Sequence, residues 1–285
     1  EIKSHTIIRL SLTISHHIQT EFKILMSPLN LLVLFVICLK GALGSGKKGL
    51  AVAPENYRCG DLDAFTNIHW WYDWNKTPYY HEKLHCGNLK SGRIPMIWSW
   101  SSDLNIHPDS QYVLGFNEPN FYHQSNMTPQ VAAQHWRELE KRFTGKILVS
   151  PAAAPCGSHE QCMANAEEWF AQFFQHCQGC RVDYLATHGY WCNADTTINY
   201  LKGLWDRFHK PIWLTEFSCP QTHSEDTQLR YMKEILPRLE ASHFVSHYSW
   251  FVHRWKSDGW IYSSASLLHQ DSSTLTTLGQ YYNNF

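Results

Sequence analysis

A succession of eight short apolar runs, separated by segments of helical pattern, constrains the fold of this 285-residue chain more than any other feature. Several of these runs are nearly continuous in apolar residues, which is typical of parallel strands buried on both faces. The predicted strands are 48–52, 67–72, 93–98, 112–116, 146–150, 182–188, 211–215 and 245–251.

The connections in the second half of the chain show helical periodicity, with apolar residues three or four positions apart. The residues that define these faces are Val131, Trp136, Leu139 and Phe143; Trp169, Phe170, Phe173, Phe174 and Cys177; Ile198, Leu201, Trp205 and Phe208; and Leu229, Met232, Leu236 and Leu239. Pro237 lies inside the last pattern, so we expect that helix to kink or end early. The first three connections show no clean helix.

Eight strands alternating with helices predict an α/β protein, specifically a single (β/α)8 TIM barrel, for which about 250 residues is the usual size. The alternative is a doubly wound open sheet. That fold normally carries a glycine-rich phosphate loop after its first strand, and no such loop follows Val52. No internal repeat or long linker interrupts the chain, which indicates one domain.

The first 44 residues are predicted to lie outside that domain. Met26 precedes an apolar stretch at 29–39 that is shorter than the about 20 residues needed to span a bilayer, so 26–44 is interpreted as a signal peptide. Residues 1–25 are interpreted as upstream sequence, and 45–285 as the mature domain. An uncleaved membrane anchor is the alternative. A secreted, extracellular protein is therefore expected.

Cysteine number supports an oxidising compartment. Of nine cysteines, Cys38 falls in the apolar stretch and eight remain, an even number that indicates disulfide bracing. The eight allow 105 pairings, and only the short loop between Cys156 and Cys162 suggests itself. Cys177 and Cys180 have no second pair of ligands nearby in sequence, so a disulfide is favoured over zinc. Two glycosylation sequons begin at Asn75 and Asn126.

Charge excludes several classes of partner. The formal net charge is −1 with 18 histidines counted as neutral, so the chain offers no basic field for nucleic acid and no polybasic membrane patch. We expect a monomer, no cofactor, and no stable membrane insertion after signal cleavage. The histidines show no metal-ligand spacing on a shared element, so no metal site is predicted.

Two glutamates at the ends of predicted strands carry the functional argument. Glu118 follows the fourth run and Glu216 the seventh, and strand ends at the mouth of an α/β barrel are where catalytic groups collect. Paired carboxylates are the basic equipment for hydrolysing a glycosidic bond, with their separation deciding between retention and inversion. Either glutamate alone could instead form a structural ion pair.

Aromatic and polar residues near the same strand ends suggest a carbohydrate ligand. The chain has 13 tryptophans and 14 tyrosines, whose faces stack on sugar rings, although core packing must account for about half of them. His188 is predicted to bind substrate or to tune a catalytic carboxylate, with a structural histidine as the alternative. The predicted substrate-binding residues are Asn117, Trp71, Trp98, His188, Tyr190 and Trp250.

Four motifs together resemble glycoside hydrolase family 128, the group related to the fungal alkali-sensitive linkage protein. They are Lys48-Gly49-Leu50-Ala51-Val52, Trp70-Trp71-Tyr72-Asp73-Trp74, Gly115-Phe116-Asn117-Glu118-Pro119-Asn120 and Trp213-Leu214-Thr215-Glu216-Phe217. The resemblance covers the mature chain and implies a barrel fold with endo-β-1,3-glucanase activity. It also implies that Glu118 is the general acid/base and Glu216 the nucleophile of a retaining reaction. Eight cysteines exceed what the family leads us to expect, so the loops that decide between internal and end-acting cleavage stay open.

Two other functions remain open on the sequence. A lectin-like barrel could bind glucan through the same aromatic residues without hydrolysing it, although both glutamates are intact. A barrel glycosidase could also act on another β-linked polymer such as cellulose or mannan. The biological role is not indicated by any of these residues.

Overall fold

The structure is a computed structural model that describes residues 46–256 and 259–285. Its strands are β1 (Lys48–Ala51), β2 (Trp70–Tyr72), β3 (Tyr112–Leu114), β4 (Ile147–Val149), β5 (Leu185–Gly189), β6 (Ile212–Phe217) and β7 (Val245–Trp250). Five of them form a parallel sheet in the order β2, β1, β7, β6, β5, and β3 pairs in parallel with β4. The predicted α/β class with parallel strands is confirmed.

The predicted strand at 93–98 is wrong as a regular strand. This segment makes only isolated parallel bridges, from Arg93 to Trp71 of β2 and from Met96 to Leu114 of β3. Pro95 explains the interruption, because proline lacks the N–H that a continuous ladder requires. A further isolated bridge joins Val149 of β4 to Tyr184, directly before β5. Parallel pairing therefore continues across both edges of the β3–β4 pair.

Six α-helices lie in the described ranges. They are α1 (Tyr79–Lys83), α2 (Pro129–Arg142), α3 (Ala166–His176), α4 (Ala194–Phe208), α5 (Glu225–Ala241) and α6 (Thr277–Asn284). Each of the last five begins after a polar residue whose side chain accepts a backbone N–H, which fixes its start: Thr128, Asn165, Asn193, Ser224 and Thr276. Helix α5 continues past Pro237 to Ala241, so the expected early end is wrong.

The strands are covered on both faces by hydrophobic clusters. Trp70 and Tyr72 of β2 belong to one cluster, and Trp71 between them belongs to the other. This alternation is the period of two that a β-strand imposes on its side chains. The larger cluster also contains the buried faces of α2 to α5, whereas the smaller one is rich in aromatic rings stacked around Trp213.

All eight cysteines within the described residues are paired, as their even number predicts. The disulfides are Cys59–Cys86, Cys156–Cys162, Cys177–Cys180 and Cys192–Cys219. The expected local loop at Cys156 is thus present, and Cys177 with Cys180 forms a disulfide as favoured. The two longer bridges have the same sequence separation of 27 residues.

A fully buried ion pair ties the loop after β1 to the chain after β7. Arg254 donates from both terminal nitrogens to Asp61, at 2.6 and 2.7 Å, and neither side chain is exposed to solvent. Burial opposes ionisation of this carboxyl, but hydrogen bonds from His253, Arg254 and Ser273 lower the pKa of Asp61 to about 2. The negative charge is therefore held over nearly the whole pH range.

The predicted signal peptide at 26–44 and the predicted upstream segment at 1–25 lie outside the described residues. Within 46–256 and 259–285, no helix is long and apolar enough to cross a membrane.

Candidate active site

Three polar side chains meet at the carboxyl ends of β3, β5 and β6. Glu118 follows β3, His188 lies in β5, and Glu216 lies in β6 rather than just after it. His188 and Glu216 are register partners on neighbouring strands, so their side chains emerge side by side. Glu118 reaches the same place because its backbone N–H bonds to the carbonyl of Ala152, beyond the end of β4.

Short contacts connect this trio. The Nδ1 atom of His188 lies 2.7 Å from Oε1 of Glu118, and its Nε2 atom lies 3.4 Å from Oε1 of Glu216. One oxygen of each carboxylate and one ring nitrogen all lie within 4.8 Å of one another. The two predicted glutamates therefore face each other, with the imidazole between them.

The Glu118 loop is held in an unusual backbone conformation. Glu118 has φ of 39°, in the left-handed region that non-glycine residues seldom adopt, and such strain occurs at functional sites. Buried Asn120 fixes the loop by donating to the carbonyls of Ala154 and Ala164, at 2.8 and 3.1 Å. Gly115 permits the close approach, because a Cβ there would lie 2.7 Å from the backbone nitrogen of Pro151.

Glu216 is buried and receives several donors. Tyr190 donates its hydroxyl to Oε2 at 2.6 Å, and Trp74 donates Nε1–H to Oε1 at 2.8 Å. Tyr72 lies further away, 3.4 Å from Oε1, and also donates to the carbonyl of Thr215 at 3.0 Å. These donors favour the ionised carboxylate in a place where water cannot solvate it.

Burial dominates the acid–base behaviour of this carboxyl. It raises the pKa of Glu216, and the charge of Glu118 adds to this effect, while His188, Tyr190 and Trp74 act in the opposite direction. Burial and the charge of Glu216 raise the pKa of Tyr190 well above its usual value. Tyr190 therefore keeps its proton and remains a donor to Glu216.

His188 is fully buried, and burial works to lower its pKa. The negative charges of Glu216 and Glu118, together with the hydrogen bond to Glu118, outweigh burial, so the pKa of His188 is raised. A protonated imidazole donates to Glu118 through Nδ1–H and places its second N–H beside Glu216. The imidazole thus bridges the two carboxylates, and its proton is linked to the charge of Glu216.

The same three residues are close enough to offer ligand atoms to a metal ion. Glu216, however, already accepts an O–H from Tyr190 on one oxygen and an N–H from Trp74 on the other. Hydrogens that point at a carboxylate stabilise its negative charge and would face any cation placed there. The donor set suits a reactive carboxylate better than a metal ligand, and the prediction of no metal stays a prediction.

The position of Trp74 is fixed by a buried arginine. Arg93 forms an ion pair with Asp73 at 2.5 Å and donates to the carbonyls of Asn75 and Thr77, at 2.8 and 2.7 Å. These bonds hold both sides of Trp74, which has φ of 57°. Arg93 therefore positions Trp74 without contacting Glu216 itself.

An aromatic wall extends from the Glu216 side of the trio towards solvent. The ring of Phe251 contacts those of Trp74 and Tyr190, with centroids 5.8 and 5.9 Å apart. Trp260 packs edge-on against Tyr190 at 4.7 Å and remains 52% exposed. An exposed indole beside a buried carboxylate offers a flat, partly apolar surface of the kind that stacks on sugar rings.

The structure places the predicted substrate-binding residues in different environments. Asn117, His188 and Tyr190 lie at or beside the trio, and Trp98 is 36% exposed next to Asn117, whose N–H bonds to its carbonyl. The prediction that Trp71 and Trp250 bind substrate is wrong. Both rings are buried in the larger hydrophobic cluster, and their N–H groups bond to the carbonyls of Lys90 and Ala265. A sugar cannot reach either ring.

Two contributors to the site were not predicted, Tyr72 and Trp74. The signal was present in the alternation of β2, since Trp70, Tyr72 and Trp74 occupy one parity and Trp71 the other. Tyr72 and Trp74 point to the same face as Glu216, so they are the residues of this segment that can reach its carboxylate. Choosing Trp71 ignored this period of two.

Paired carboxylates at the ends of parallel strands, together with aromatic neighbours, define the class of the protein as glycoside hydrolase. A family model described as the glycosyl hydrolase catalytic core matches residues 49–282. At the level of individual proteins, an endo-β-1,3-glucanase of family 128, subgroup II, from Sorangium cellulosum is 32% identical. The alignment covers 83% of this chain and 97% of that one, with a TM-score of 0.70. The chain belongs to glycoside hydrolase family 128.

Two further relatives extend the comparison. A curdlan-specific exo-β-1,3-glucanase of subgroup III from Blastomyces gilchristii is 26% identical, covering 85% of this chain and all of that one, with a TM-score of 0.64. Alkali-sensitive linkage protein 1 of Schizosaccharomyces pombe is 28% identical over 261 residues, which is 84% of this chain. The match spans only 44% of the length of that relative.

Proposed function

We propose that this protein is a retaining hydrolase of β-1,3-glucan, with Glu118 as general acid/base and Glu216 as nucleophile. The observation that carries the proposal is the approach of the two carboxylates, which bring oxygens within 4.8 Å of each other. Retaining glycosidases hold their carboxyl groups about 5–5.5 Å apart, whereas inverting enzymes need about 6.5–9.5 Å to admit water. The short separation supports retention.

In the first step of this mechanism, the Glu216 carboxylate attacks the anomeric carbon while Glu118 gives its proton to the glycosidic oxygen. The C–O bond to the leaving chain breaks, and an ester forms between the sugar and Glu216. In the second step Glu118 takes a proton from water. The resulting hydroxide equivalent attacks the same carbon, and the Glu216 carboxylate leaves.

The surrounding residues suit these roles. Tyr190 and Trp74 hold the two oxygens of Glu216 in fixed directions, which orients one lone pair for attack. His188 contacts both carboxylates and so links the proton of one to the charge of the other. Asn117 is buried beside Glu118, and its Oδ1 has no partner among residues 46–256 and 259–285. We assign it to a sugar hydroxyl next to the reacting carbon.

The substrate assignment is supported by the relatives rather than by the site alone. Structures of family members from Sorangium cellulosum and Blastomyces gilchristii are those of β-1,3-glucanases, one endo-acting and one exo-acting. Trp98, whose carbonyl accepts the N–H of Asn117, and Trp260, which packs against Tyr190, both keep exposed rings that can stack on sugars. A glucan chain lying between them would place one linkage over the carboxylates.

The remaining expectations are proposals about the whole molecule. We propose that the strands close into a (β/α)8 barrel, a view supported by the isolated bridges that flank the β3–β4 pair. Four disulfides support an extracellular location. The 45–285 catalytic domain is proposed to act as a monomer, since its site is assembled from one chain.

The test is reducing-sugar release from laminarin by purified wild type, Glu118→Gln and Glu216→Gln. Each variant keeps the shape of the carboxyl group but removes its ionisation, so we expect activity to fall by a factor of about 10³ or more. The anomer released first, followed by NMR, should be the β-anomer. Release of the α-anomer would contradict retention, and binding of laminarin without hydrolysis by wild type would indicate a lectin-like protein.

A further inference from the structure

The disulfide Cys192–Cys219 lies directly beyond the strands that carry the site. Register pairing of β5 with β6 ends at Gly189 and Phe217. Cys192 follows Gly189 by three residues and Cys219 follows Phe217 by two, so the disulfide links the two strands just past the end of their ladder. Tyr190 lies within this linked segment, two residues before Cys192.

The Cys219 end of this disulfide is rigid. Cys219 is fully buried, and its backbone N–H and C=O bond to the side chain of Gln228, at 2.9 and 2.8 Å. Gln228 itself is buried on α5. The bridge therefore connects the loop after β5 to a point that is fixed by both β6 and α5.

The other end of the disulfide is less well supported by the backbone. Outside the regular elements, no backbone hydrogen bond within the described ranges involves residues 190–192. The fixed contacts of this segment are the disulfide at Cys192, the hydroxyl of Tyr190 on Glu216, and the packing of the rings of Tyr190 and Trp191. Cys192 also adopts a left-handed conformation, with φ of 53°.

We infer that the Cys192–Cys219 disulfide is a positioning element for catalysis, because it holds the Tyr190 hydroxyl against the Glu216 carboxylate. The inference rests on the proposed function, in which Glu216 is the nucleophile. Without the bridge, Tyr190 is free to move with its loop, and a displacement of about 1 Å in a supporting group can cost about 10²-fold in rate.

The chain provides a matched control for this idea. Cys59–Cys86 closes a loop of the same sequence separation, 27 residues, so removing either bridge should restore similar chain entropy to the unfolded state. Within the described residues, neither Cys59 nor Cys86 forms a hydrogen bond or ion pair with Glu118, His188 or Glu216. The chain-entropy part of the stability loss should be alike in the two variants, whereas only one of them should lose catalytic rate.

The experiment compares wild type, Cys192→Ala/Cys219→Ala and Cys59→Ala/Cys86→Ala on laminarin, at a pH on the acidic limb of the wild-type profile, where the Tyr190 hydroxyl matters most, and at a temperature well below all melting transitions. We expect kcat of the first variant to fall at least about tenfold with KM nearly unchanged, while the control keeps wild-type kcat. Tyr190→Phe is then introduced into wild type and into the Cys192→Ala/Cys219→Ala variant. Since the bridge acts through Tyr190, this substitution should cost much less when the bridge is already absent.

Each other outcome has a definite meaning. The inference is overturned if Cys192→Ala/Cys219→Ala keeps the wild-type kcat, or if both disulfide variants lose kcat equally. It is also overturned if Tyr190→Phe lowers kcat by the same factor with and without the Cys192–Cys219 bridge. If the double alanine variant does not fold, Cys192→Ala/Cys219→Val refills the buried space. Failure of both variants alongside a folded control would show a role in folding instead and also overturn it. Inactive wild type would refute the proposed function first.

Discussion

Replacing Tyr190 with phenylalanine should make activity more sensitive to acid. The substitution removes one hydroxyl that donates to Glu216 Oε2 at 2.6 Å and keeps the ring that packs against Phe251 and Trp260. A hydrogen bond to a charged group is worth about 1.5–3 kcal/mol. This energy corresponds to about 10- to 150-fold in the ratio of ionised to protonated Glu216.

The sign of the effect follows from the role proposed for Glu216 as the nucleophile. Glu216 must be ionised to attack, burial already raises its pKa, and losing a donor raises that pKa further. On the acidic limb of the pH profile, kcat/KM for laminarin should therefore fall by about 10- to 150-fold. At higher pH, where Glu216 is ionised in both proteins, the two profiles should approach each other.

Tyr72→Phe is the matched control for this prediction. Tyr72 is also buried beside Glu216, but its hydroxyl lies 3.4 Å from Oε1 and is shared with the carbonyl of Thr215. Its removal should move the acidic limb far less. The reasoning is wrong if Tyr190→Phe leaves the acidic limb in place, or if Tyr72→Phe shifts it as much.

The other predictions concern the aromatic wall at Trp260, the buried ion pair of Asp61 with Arg254, and the close backbone approach at Gly115. Trp260→Ala should raise KM for laminarin on the order of tenfold with little change in kcat, because the lost stacking contact is worth about 1.4 kcal/mol of binding free energy. An unchanged KM would show that Trp260 does not contact the substrate. Because the pKa of Asp61 is lowered to about 2, its ionisation adds about 2.5 kcal/mol to the free energy of unfolding above pH 4, and this stabilisation is lost as the pH falls through 2. Urea unfolding at several pH values should show this loss in wild type and not in Asp61→Asn. At neutral pH, Asp61→Asn should lower the free energy of unfolding by about 3–5 kcal/mol, because it leaves the positive charge of Arg254 buried without a counter-charge. Wild-type stability in this variant would show that the ion pair does not stabilise the fold. Gly115→Ala should cost about 1–3 kcal/mol because its Cβ meets the backbone at Pro151, and an unaltered melting temperature would show that the strands separate freely there.

The sequence predicted most regular elements because burial on both faces leaves a strong apolar signal. β6 begins with the apolar run Ile212-Trp213-Leu214, and α2 to α5 show their buried stripes plainly. The segment at 93–98 was misjudged for the opposite reason. Its apolar character comes from real burial of Ile94 and Met96, but Pro95 prevents the continuous ladder that defines a strand.

The sequence predicted which side chains meet at the strand ends, but it did not give the direction in which side chains along a strand point. Glu118, His188 and Glu216 were found because strand termini meet at one edge. Trp71 and Trp250 were chosen by proximity in sequence, although a strand sends neighbouring side chains to opposite faces. Disulfide partners such as Cys192 and Cys219 depend on the register of two strands, which composition cannot supply.

The hydrogen bond from Trp74 to Glu216 joins residues 142 positions apart, and that from His188 to Glu118 spans 70 positions. Contacts of such long range form only after the chain has paid the entropy of closing large loops, which makes them late events in folding. Tryptophan burial in helices α2 and α3 depends on much shorter separations. During refolding, Trp136 and Trp169 should therefore become buried before hydrolysis returns, so that activity reports the final closure of the molecule rather than its collapse.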